Sequence, residues 1–126
     1  MPSKPELHVR HALRKRNGKI RFRKFNASGA EHFAIRLYVE GDVDALESVT
    51  YELHPTFPNR VRHVRDPQGG FKLDIWTWGE FDVDVTFHRQ DGESESTVYP
   101  LEYGSELPSD PGAYVDETDP SVRGRG

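Results

Sequence analysis

A stiff loop of polar and aromatic side chains follows a strand-like segment near the middle of the sequence. It runs Leu53-His54-Pro55-Thr56-Phe57-Pro58. Each proline fixes its own φ and restricts the preceding residue to extended conformations. The loop therefore presents the imidazole of His54, the hydroxyl of Thr56 and the phenyl ring of Phe57 from neighbouring positions. These groups are suited to hydrogen bonding and stacking.

A second aromatic segment, Trp76-Thr77-Trp78-Gly79-Glu80-Phe81, places two indoles and a glycine at the junction of two strand-like runs. Gly79 allows either a positive φ or the close approach of another group. One tryptophan of such a pair fits into a core, and the other needs an explanation. The segment is therefore a second candidate for ligand contact.

The two loops together predict a slot if they lie at the same end of the fold. Phe57 and Trp78 would then face each other and hold a flat or slender apolar group by stacking and dispersion. Thr56 and a backbone N–H beside Trp78 would bind one amide. The alternative is that both rings cap the core, and the spacing alone does not decide between the two.

Other chemistry finds little support in the sequence. The chain has no cysteine, which excludes disulfides, thiolate zinc sites, iron–sulfur clusters and cysteine nucleophiles. His8 and His11 fall on opposite faces of a predicted strand, and the other four histidines show no ligand spacing. No nucleophile elbow, P-loop or dinucleotide-binding glycine motif is present. We therefore expect neither enzymatic activity, nor a metal, nor a cofactor.

The elements that position the two loops alternate with a period of two, which is typical of strands. Phe81, Val83, Val85 and Phe87 alternate with polar residues, so Asp82 and Asp84 form the outward half of one strand. Asn17-Gly18 and Asp91-Gly92 mark hairpin turns, and Pro100 predicts an edge strand. About eight short strands at roughly 8–14-residue intervals indicate an all-β sandwich or barrel.

Length and composition indicate one domain with unpacked ends. The chain has 126 residues, of which 34% are hydrophobic and 30% are charged. We predict a disordered N-terminus at 1–5, a domain at 6–104, and a flexible acidic tail rich in proline and glycine at 105–126. No apolar run is long enough for a bilayer and no leader opens the chain. The expected location is the cytoplasm, or the nucleus if the source is eukaryotic.

The charges are segregated along the chain. Residues 1–26 carry nine basic side chains against one acid, Glu6, within a net charge of -4. One interpretation is a cationic face that contacts an acidic partner; the other is a solvated hairpin balanced by the acidic tail. A pI near 5.8 favours the second and argues against nucleic acid as the partner.

The two aromatic loops carry a resemblance to the YEATS domain family. The matching stretches are Val49-Thr50-Tyr51-Glu52-Leu53-His54-Pro55-Thr56-Phe57-Pro58 and Trp78-Gly79-Glu80-Phe81. Weaker similarity reaches back through the Ile-Arg-Leu-Tyr-Val-Glu-Gly run, so the resemblance covers residues 30–103. The basic opening hairpin is similar to that of prokaryotic YEATS-like domains.

The resemblance implies an immunoglobulin-like β-sandwich and a non-enzymatic reader that binds acetylated or crotonylated lysine in an aromatic slot. It makes Phe57 and Trp78 the walls, puts Thr56 in the position of the family's serine, and lets Gly79 open the far end. His54 would orient the hydroxyl or the peptide, while Thr77 and Glu80 belong to the same site. The expected partner is an acylated-lysine peptide or protein.

The alternative function is an adaptor of YEATS-like fold without an acyl slot. It would dock on an acidic protein through the basic N-terminal hairpin, with salt-dependent affinity. Nucleic-acid binding by residues 10–24 ranks below both functions, and no contact with a membrane is expected.

Overall fold

The computed structural model describes residues 6–24 and 31–118. The predictions for residues 1–5 and for 119–126 therefore lie outside the described residues. Within them the chain forms ten strands: β1 (Leu7–Leu13), β2 (Lys15–Arg16), β3 (Lys19–Lys24), β4 (Glu31–Gly41), β5 (Leu46–Glu52), β6 (Val61–Val64), β7 (Leu73–Thr77), β8 (Phe81–Arg89), β9 (Ser94–Leu101) and β10 (Tyr114–Asp116). Three-residue 3-10 helices occur at Val43–Ala45, Gly104–Glu106 and Pro111–Ala113. The all-β prediction is confirmed.

The strands form two sheets. One has the order β1-β4-β3-β10, with β2 added beside β3 and β7 beside β4; the other has the order β6-β5-β8-β9. β10 lies parallel to β3, whereas β2–β3, β3–β4 and all pairs of the sheet β6-β5-β8-β9 are antiparallel. The number of strands exceeds the predicted eight because β2 and β10 are too short to show an alternating pattern.

The chain divides into two compact units. Their described parts are 6–11, 37–73 and 81–101 for the first, and 12–24, 31–36, 74–80 and 102–118 for the second. The first contains all of the sheet β6-β5-β8-β9 and is called the four-strand unit. The second contains the Asn17-Gly18 hairpin and is called the hairpin unit.

The core of the four-strand unit follows the predicted alternation. Val83, Val85 and Phe87 are buried on β8, while Asp82 and Asp84 are exposed. Strand β9 pairs with β8 alone among the described residues. Its proline lies on an edge strand, as predicted, because an edge strand has ladder positions at which an N–H is not needed.

The hairpin turn at Asn17-Gly18 is also confirmed. Asn17 has φ 52° and Gly18 has φ 79°, as a two-residue turn of type I′ requires. The turn joins β2 to β3, with Arg16 opposite Lys19.

The loop before β7 departs from the sequence prediction. Gly69, Gly70 and Phe71 all have positive φ, at 68°, 78° and 56°. The sequence run Phe71–Trp76 predicts a strand that starts at Phe71, but β7 begins at Leu73. The difference arises because Phe71 takes a positive φ, which a buried phenylalanine rarely adopts. The Tyr51 hydroxyl donates to the Phe71 carbonyl at 2.8 Å, which helps to fix the turn from inside the four-strand unit.

Alkaline pH is expected to destabilise the protein through Tyr51. Burial raises the pKa of Tyr51, whereas a tyrosine in the unfolded chain loses its proton near pH 10. The contribution of Tyr51 to the free energy of unfolding is therefore fully present below about pH 10. Above that pH the free energy of unfolding falls by up to about 1.4 kcal/mol per pH unit for one such group. Urea unfolding between pH 8 and 11 measures this slope.

Tyr51→Phe is the control for that experiment. The variant should lose about 1–3 kcal/mol at neutral pH, because the Phe71 carbonyl loses its donor. The slope of its free energy of unfolding against alkaline pH should be smaller by the amount that one proton contributes. Tyr103, whose pKa is also raised by burial, still contributes to that slope. An unchanged slope would assign the alkaline loss to other groups.

Part of the segment that the sequence predicts as a flexible tail, residues 105–118, is packed in the structure. This portion was expected to be flexible, yet β10 pairs with β3 and Thr118 is buried. The Tyr114 ring meets Phe22 edge-on at 6.1 Å and lies 6.3 Å from Phe33. These aromatic contacts supply the apolar burial that the polar composition of the segment does not suggest.

Candidate functional site

The loop after β5 is organised by hydrogen bonds around His54. Its Nδ1 lies 2.9 Å from the Thr56 hydroxyl and accepts from the Thr56 backbone N–H at 3.3 Å. The Phe57 N–H donates to the His54 carbonyl at 2.9 Å. The backbone N–H and the hydroxyl of Thr56 thus both lie within hydrogen-bonding distance of one ring nitrogen. The loop thus holds the Thr56 hydroxyl in a defined place.

Two rings of this loop pack against Phe81, the first residue of β8. The Phe57 ring lies 5.3 Å from the Phe81 ring at 49°, and the His54 ring lies 6.1 Å away at 66°. Phe57 is partly buried and His54 is exposed. Phe81 therefore fixes the direction of Phe57 while part of the Phe57 ring stays accessible.

The second predicted loop, residues 77–80, lies in the hairpin unit. Trp78 is 55% exposed, whereas Thr77 beside it is 1% exposed. The Thr77 hydroxyl donates to the Gly79 carbonyl at 2.7 Å and accepts from the Gly79 N–H at 3.4 Å. A large indole is thus presented to solvent next to a threonine whose hydroxyl is engaged within the loop.

Gly79 differs from the sequence expectation. It does not have a positive φ, and a side chain added there would meet nothing within 4 Å. Neither backbone strain nor a close neighbour therefore explains this glycine. Its surroundings are open space.

Glu80 also has a role that the sequence did not indicate. Its Oε2 accepts from the N–H of Tyr103 at 2.7 Å and from the N–H of Gly104 at 2.9 Å. Burial raises the pKa of Tyr103, a hydrogen bond with Thr77 opposes that shift, and the charge of Glu80 adds to it. The carboxylate therefore binds its own backbone.

The predicted site residues fall into two groups. His54, Thr56 and Phe57 come together in the four-strand unit, and residues 77–80 come together in the hairpin unit. The slot between Phe57 and Trp78 stays a prediction.

Trp76, on β7, makes contacts that sequence reasoning missed. The guanidinium carbon of Arg23 lies 4.1 Å from its ring centroid, and that of Arg21 lies 5.6 Å away. Its neighbours Ile75 and Thr77 are buried, so alternation along β7 places Trp76 on the opposite face. That alternation was the available signal for a partly exposed, arginine-stacked tryptophan.

The basic hairpin is neutralised within its own unit. Glu117 lies 3.0 Å from Arg16 and 2.6 Å from Arg21, and Asp74 lies 2.7 Å from Arg36. The described part of the hairpin unit holds eight basic and eight acidic side chains. The described part of the hairpin unit therefore has no net positive charge.

Several histidines make hydrogen bonds. His11 pairs with the Tyr99 hydroxyl, and the Thr50 hydroxyl lies 2.8 Å from His63 Nδ1 and 2.9 Å from His88 Nε2. Over residues 6–24 and 31–118, no three His, Cys, Asp or Glu side chains are grouped as a metal site requires. In the same segments, no helix has the length and apolar character needed to cross a bilayer.

Comparison with known proteins places these loops in a family context. The model of the prokaryotic YEATS domain matches residues 33–102. Transcription initiation factor TFIID subunit 14 of Schizosaccharomyces pombe is 38% identical over 56 residues, which are 44% of this chain and 22% of that protein. The chain spans 22–24% of the length of the curated relatives that it matches.

Solved structures of the YEATS domain of Yaf9, a yeast AF-9 homolog, share the fold. One recognises an H3K122suc peptide; its TM-score is 0.57 at 21% identity, with 85% of this chain and 82% of that chain covered. Another is bound to H3K27ac, with a TM-score of 0.52 at 21% identity and coverages of 81% and 77%. The predicted immunoglobulin-like β-sandwich is thereby confirmed.

The family match is independent of these structural likenesses. It begins in β4, ends just after β9, and includes both aromatic loops. Because the matched segment is more than half of the sequence, the chain belongs to the prokaryotic YEATS domain family.

Proposed function

We propose that this chain is a non-enzymatic reader module that binds an acylated lysine of the acetyl or crotonyl type. The observation that carries the proposal is the 55% exposure of Trp78, in a loop held by internal hydrogen bonds. The Yaf9 domains of the same fold recognise acylated histone peptides, which supports this class of ligand. The partner is an acylated-lysine peptide or protein, and no cofactor takes part.

Each side chain of the first loop has a role in the proposed site. Phe57 forms one wall of the slot, and its packing on Phe81 limits the entropy lost when a ligand stacks on it. The Thr56 hydroxyl, held by His54 Nδ1, bonds the amide of the acylated lysine. A hydroxyl that is already oriented contributes more to the binding free energy than a freely rotating one, because no rotational freedom is lost when the ligand binds.

The second loop supplies the other wall and a backbone donor. The Trp78 indole stacks on the acyl group, and the Trp78 N–H holds the amide carbonyl. The open space at Gly79 leaves room for the end of the acyl chain. A planar crotonyl group gains stacking over its whole length, so we propose that it binds more tightly than acetyl. Buried Thr77 shapes the loop.

The adaptor alternative has less support. An acidic partner would have to compete with Glu117, which already lies within 3.0 Å of Arg16 and Arg21. Such a partner at the hairpin is a second candidate, recognised by binding that weakens steeply with salt. The proposed location is the cytoplasm, or the nucleus in a eukaryotic cell.

Calorimetric titration with three peptides of one sequence tests the reader function. The peptides carry unmodified, acetylated or crotonylated lysine. We expect saturable binding of the two acylated peptides at micromolar or weaker Kd, since one acyl group buries little area. Trp78→Ala should weaken binding by about 10-fold or more, through loss of stacking.

Trp76→Ala is the matched control, because it removes an indole two residues away that stacks with Arg23. It should leave the Kd of the crotonylated peptide within about 2-fold, since the stacking of the acyl group on Trp78 is retained. No saturable heat up to millimolar peptide, or an unchanged Kd in Trp78→Ala, would remove the reader function and leave the fold intact.

A further inference from the structure

An exposed indole needs something other than its own burial to hold its direction. Trp78 has 55% of its surface in solvent, so its own burial covers less than half of the side chain. A ligand that stacks on the indole must offset any freedom that the loop loses on binding. The residues on either side of Trp78 fix the backbone from which the indole projects, so they affect that loss.

Thr77 anchors the first side of the loop. Its buried hydroxyl donates to the Gly79 carbonyl and accepts from the Gly79 N–H, closing a small turn around Trp78. These two bonds fix the conformation of residues 77–79, from which the indole projects.

Glu80 anchors the other side of the loop to Tyr103 and Gly104. Its Oε2 accepts from the N–H groups of Tyr103 and Gly104 at 2.7 and 2.9 Å. Bonds from two amides to an ionised carboxylate are stronger than bonds between neutral groups. The Glu80 end of the loop is therefore attached to the segment 103–104.

Tyr103 is a firm base for this attachment. The residue is 3% exposed, and its ring lies 6.0 Å from the Phe33 ring at 60°. Loop and base are thus both inside the hairpin unit, and every bond described joins residues of that unit.

We infer that Glu80 is a positioning residue that holds Trp78 in its exposed direction through Tyr103 and Gly104, without touching the ligand. The inference deepens the proposed function and rests on it for the effect on peptide affinity. It also changes the role of Glu80 from the ligand contact that the sequence predicted. The affinity for an acylated peptide should therefore depend on the Glu80 carboxylate, although this group binds the backbone of Tyr103 and Gly104 and not the peptide.

Glu80→Ala tests the inference, with Glu80→Gln and Glu102→Ala beside it. Glu102→Ala removes the same charge from an exposed acid next to Tyr103. Amide hydrogen exchange at Tyr103 and Gly104 is measured without peptide. We expect about a 10-fold or greater acceleration in Glu80→Ala, because two charge-assisted bonds are lost. Glu80→Gln keeps an acceptor oxygen, so it should accelerate exchange at these two amides less than Glu80→Ala does. Glu102→Ala should not accelerate it.

The direction of Trp78 is followed by acrylamide quenching of fluorescence in a Trp76→Phe background. Glu80→Ala should change the quenching constant, whereas Glu102→Ala should not. The Kd of a crotonylated peptide should rise by about 5-fold or more in Glu80→Ala, with partial recovery in Glu80→Gln. Faster exchange at Tyr103 with unchanged quenching of Trp78 would overturn the inference.

The quenching experiment separates this inference from the proposed function. If the unaltered protein binds no acylated peptide while Glu80→Ala still changes the quenching of Trp78, the reader function fails and the positioning role stands. If the protein binds crotonylated peptide and Glu80→Ala binds it equally well, the reader function stands and the positioning role fails.

Discussion

Replacing Phe87 with alanine is expected to lower the free energy of unfolding by about 3–5 kcal/mol. Phe87 is 2% exposed on the inner face of β8 and lies opposite Val49 of β5. Truncation removes the transfer free energy of the ring and leaves a cavity that the two flanking strands cannot fill. Since small domains have about 5–15 kcal/mol in total, the variant should be partly unfolded near 37 °C.

Urea denaturation followed by circular dichroism measures the effect. The midpoint should fall while the slope with denaturant stays constant, because the fold itself is unchanged. Phe87→Leu should cost less than about half as much, since it keeps most of the volume. Phe57→Ala is the matched control: its ring is only partly buried and packs on Phe81, so its loss should be smaller. Equal losses for Phe57→Ala and Phe87→Ala would mean that Phe57 is a core residue.

The period of two made the four-strand unit predictable. Burial on β8 depends on which side of one strand a residue lies, and alternation fixes that for Val83, Val85 and Phe87 locally. The Asn17-Gly18 turn is local as well, because only a few residues tolerate two positive φ values in succession. Phe71 shows the limit, since its positive φ is imposed by a turn fixed from Tyr51, twenty residues earlier in the chain.

Contacts distant in sequence explain the tail. β10 pairs in parallel with β3 although more than ninety residues separate them, and a three-residue strand has no periodicity to detect. Glu117 binds Arg21, yet either residue alone is an ordinary surface charge. The acid-rich composition of the tail correctly predicted charge balance with the hairpin, although it concealed the ordered β10.

For the candidate site, residue types were more predictable than roles. The structure shows an exposed Trp78 indole and a Thr56 hydroxyl beside His54 Nδ1, while their roles in ligand binding stay predictions. Glu80 was assigned to the ligand because its neighbours were, and no local pattern reveals that its carboxylate binds the backbone of Tyr103. Hydrogen bonds between residues that are distant in sequence depend on how the chain folds, so the spacing of residues along one sequence does not predict them.

Gly70→Ala is expected to destabilise the protein by about 3–5 kcal/mol, the combined result of strain and a steric clash. Gly70 has φ 78°, and a Cβ there would lie 2.2 Å from the Val39 carbonyl oxygen. That oxygen belongs to the backbone of β4, so it cannot rotate away. The turn would have to move, and the bond from the Val39 N–H to the Gly70 carbonyl at 2.8 Å would be lost with it.

Gly92→Ala separates strain from clash. Gly92 also has a positive φ, 91°, but a Cβ there would meet nothing within 4 Å. Its cost should therefore be the conformational part alone, about 1–2 kcal/mol, measured by the same urea unfolding. The difference between the two variants is then the cost of the clash between the new Cβ and Val39, together with the hydrogen bond that is lost with it. Equal losses for Gly70→Ala and Gly92→Ala would mean that Gly70 is not in close contact with the Val39 carbonyl of β4. The hydrogen bond from the Tyr51 hydroxyl would then be what holds the three left-handed residues of the turn.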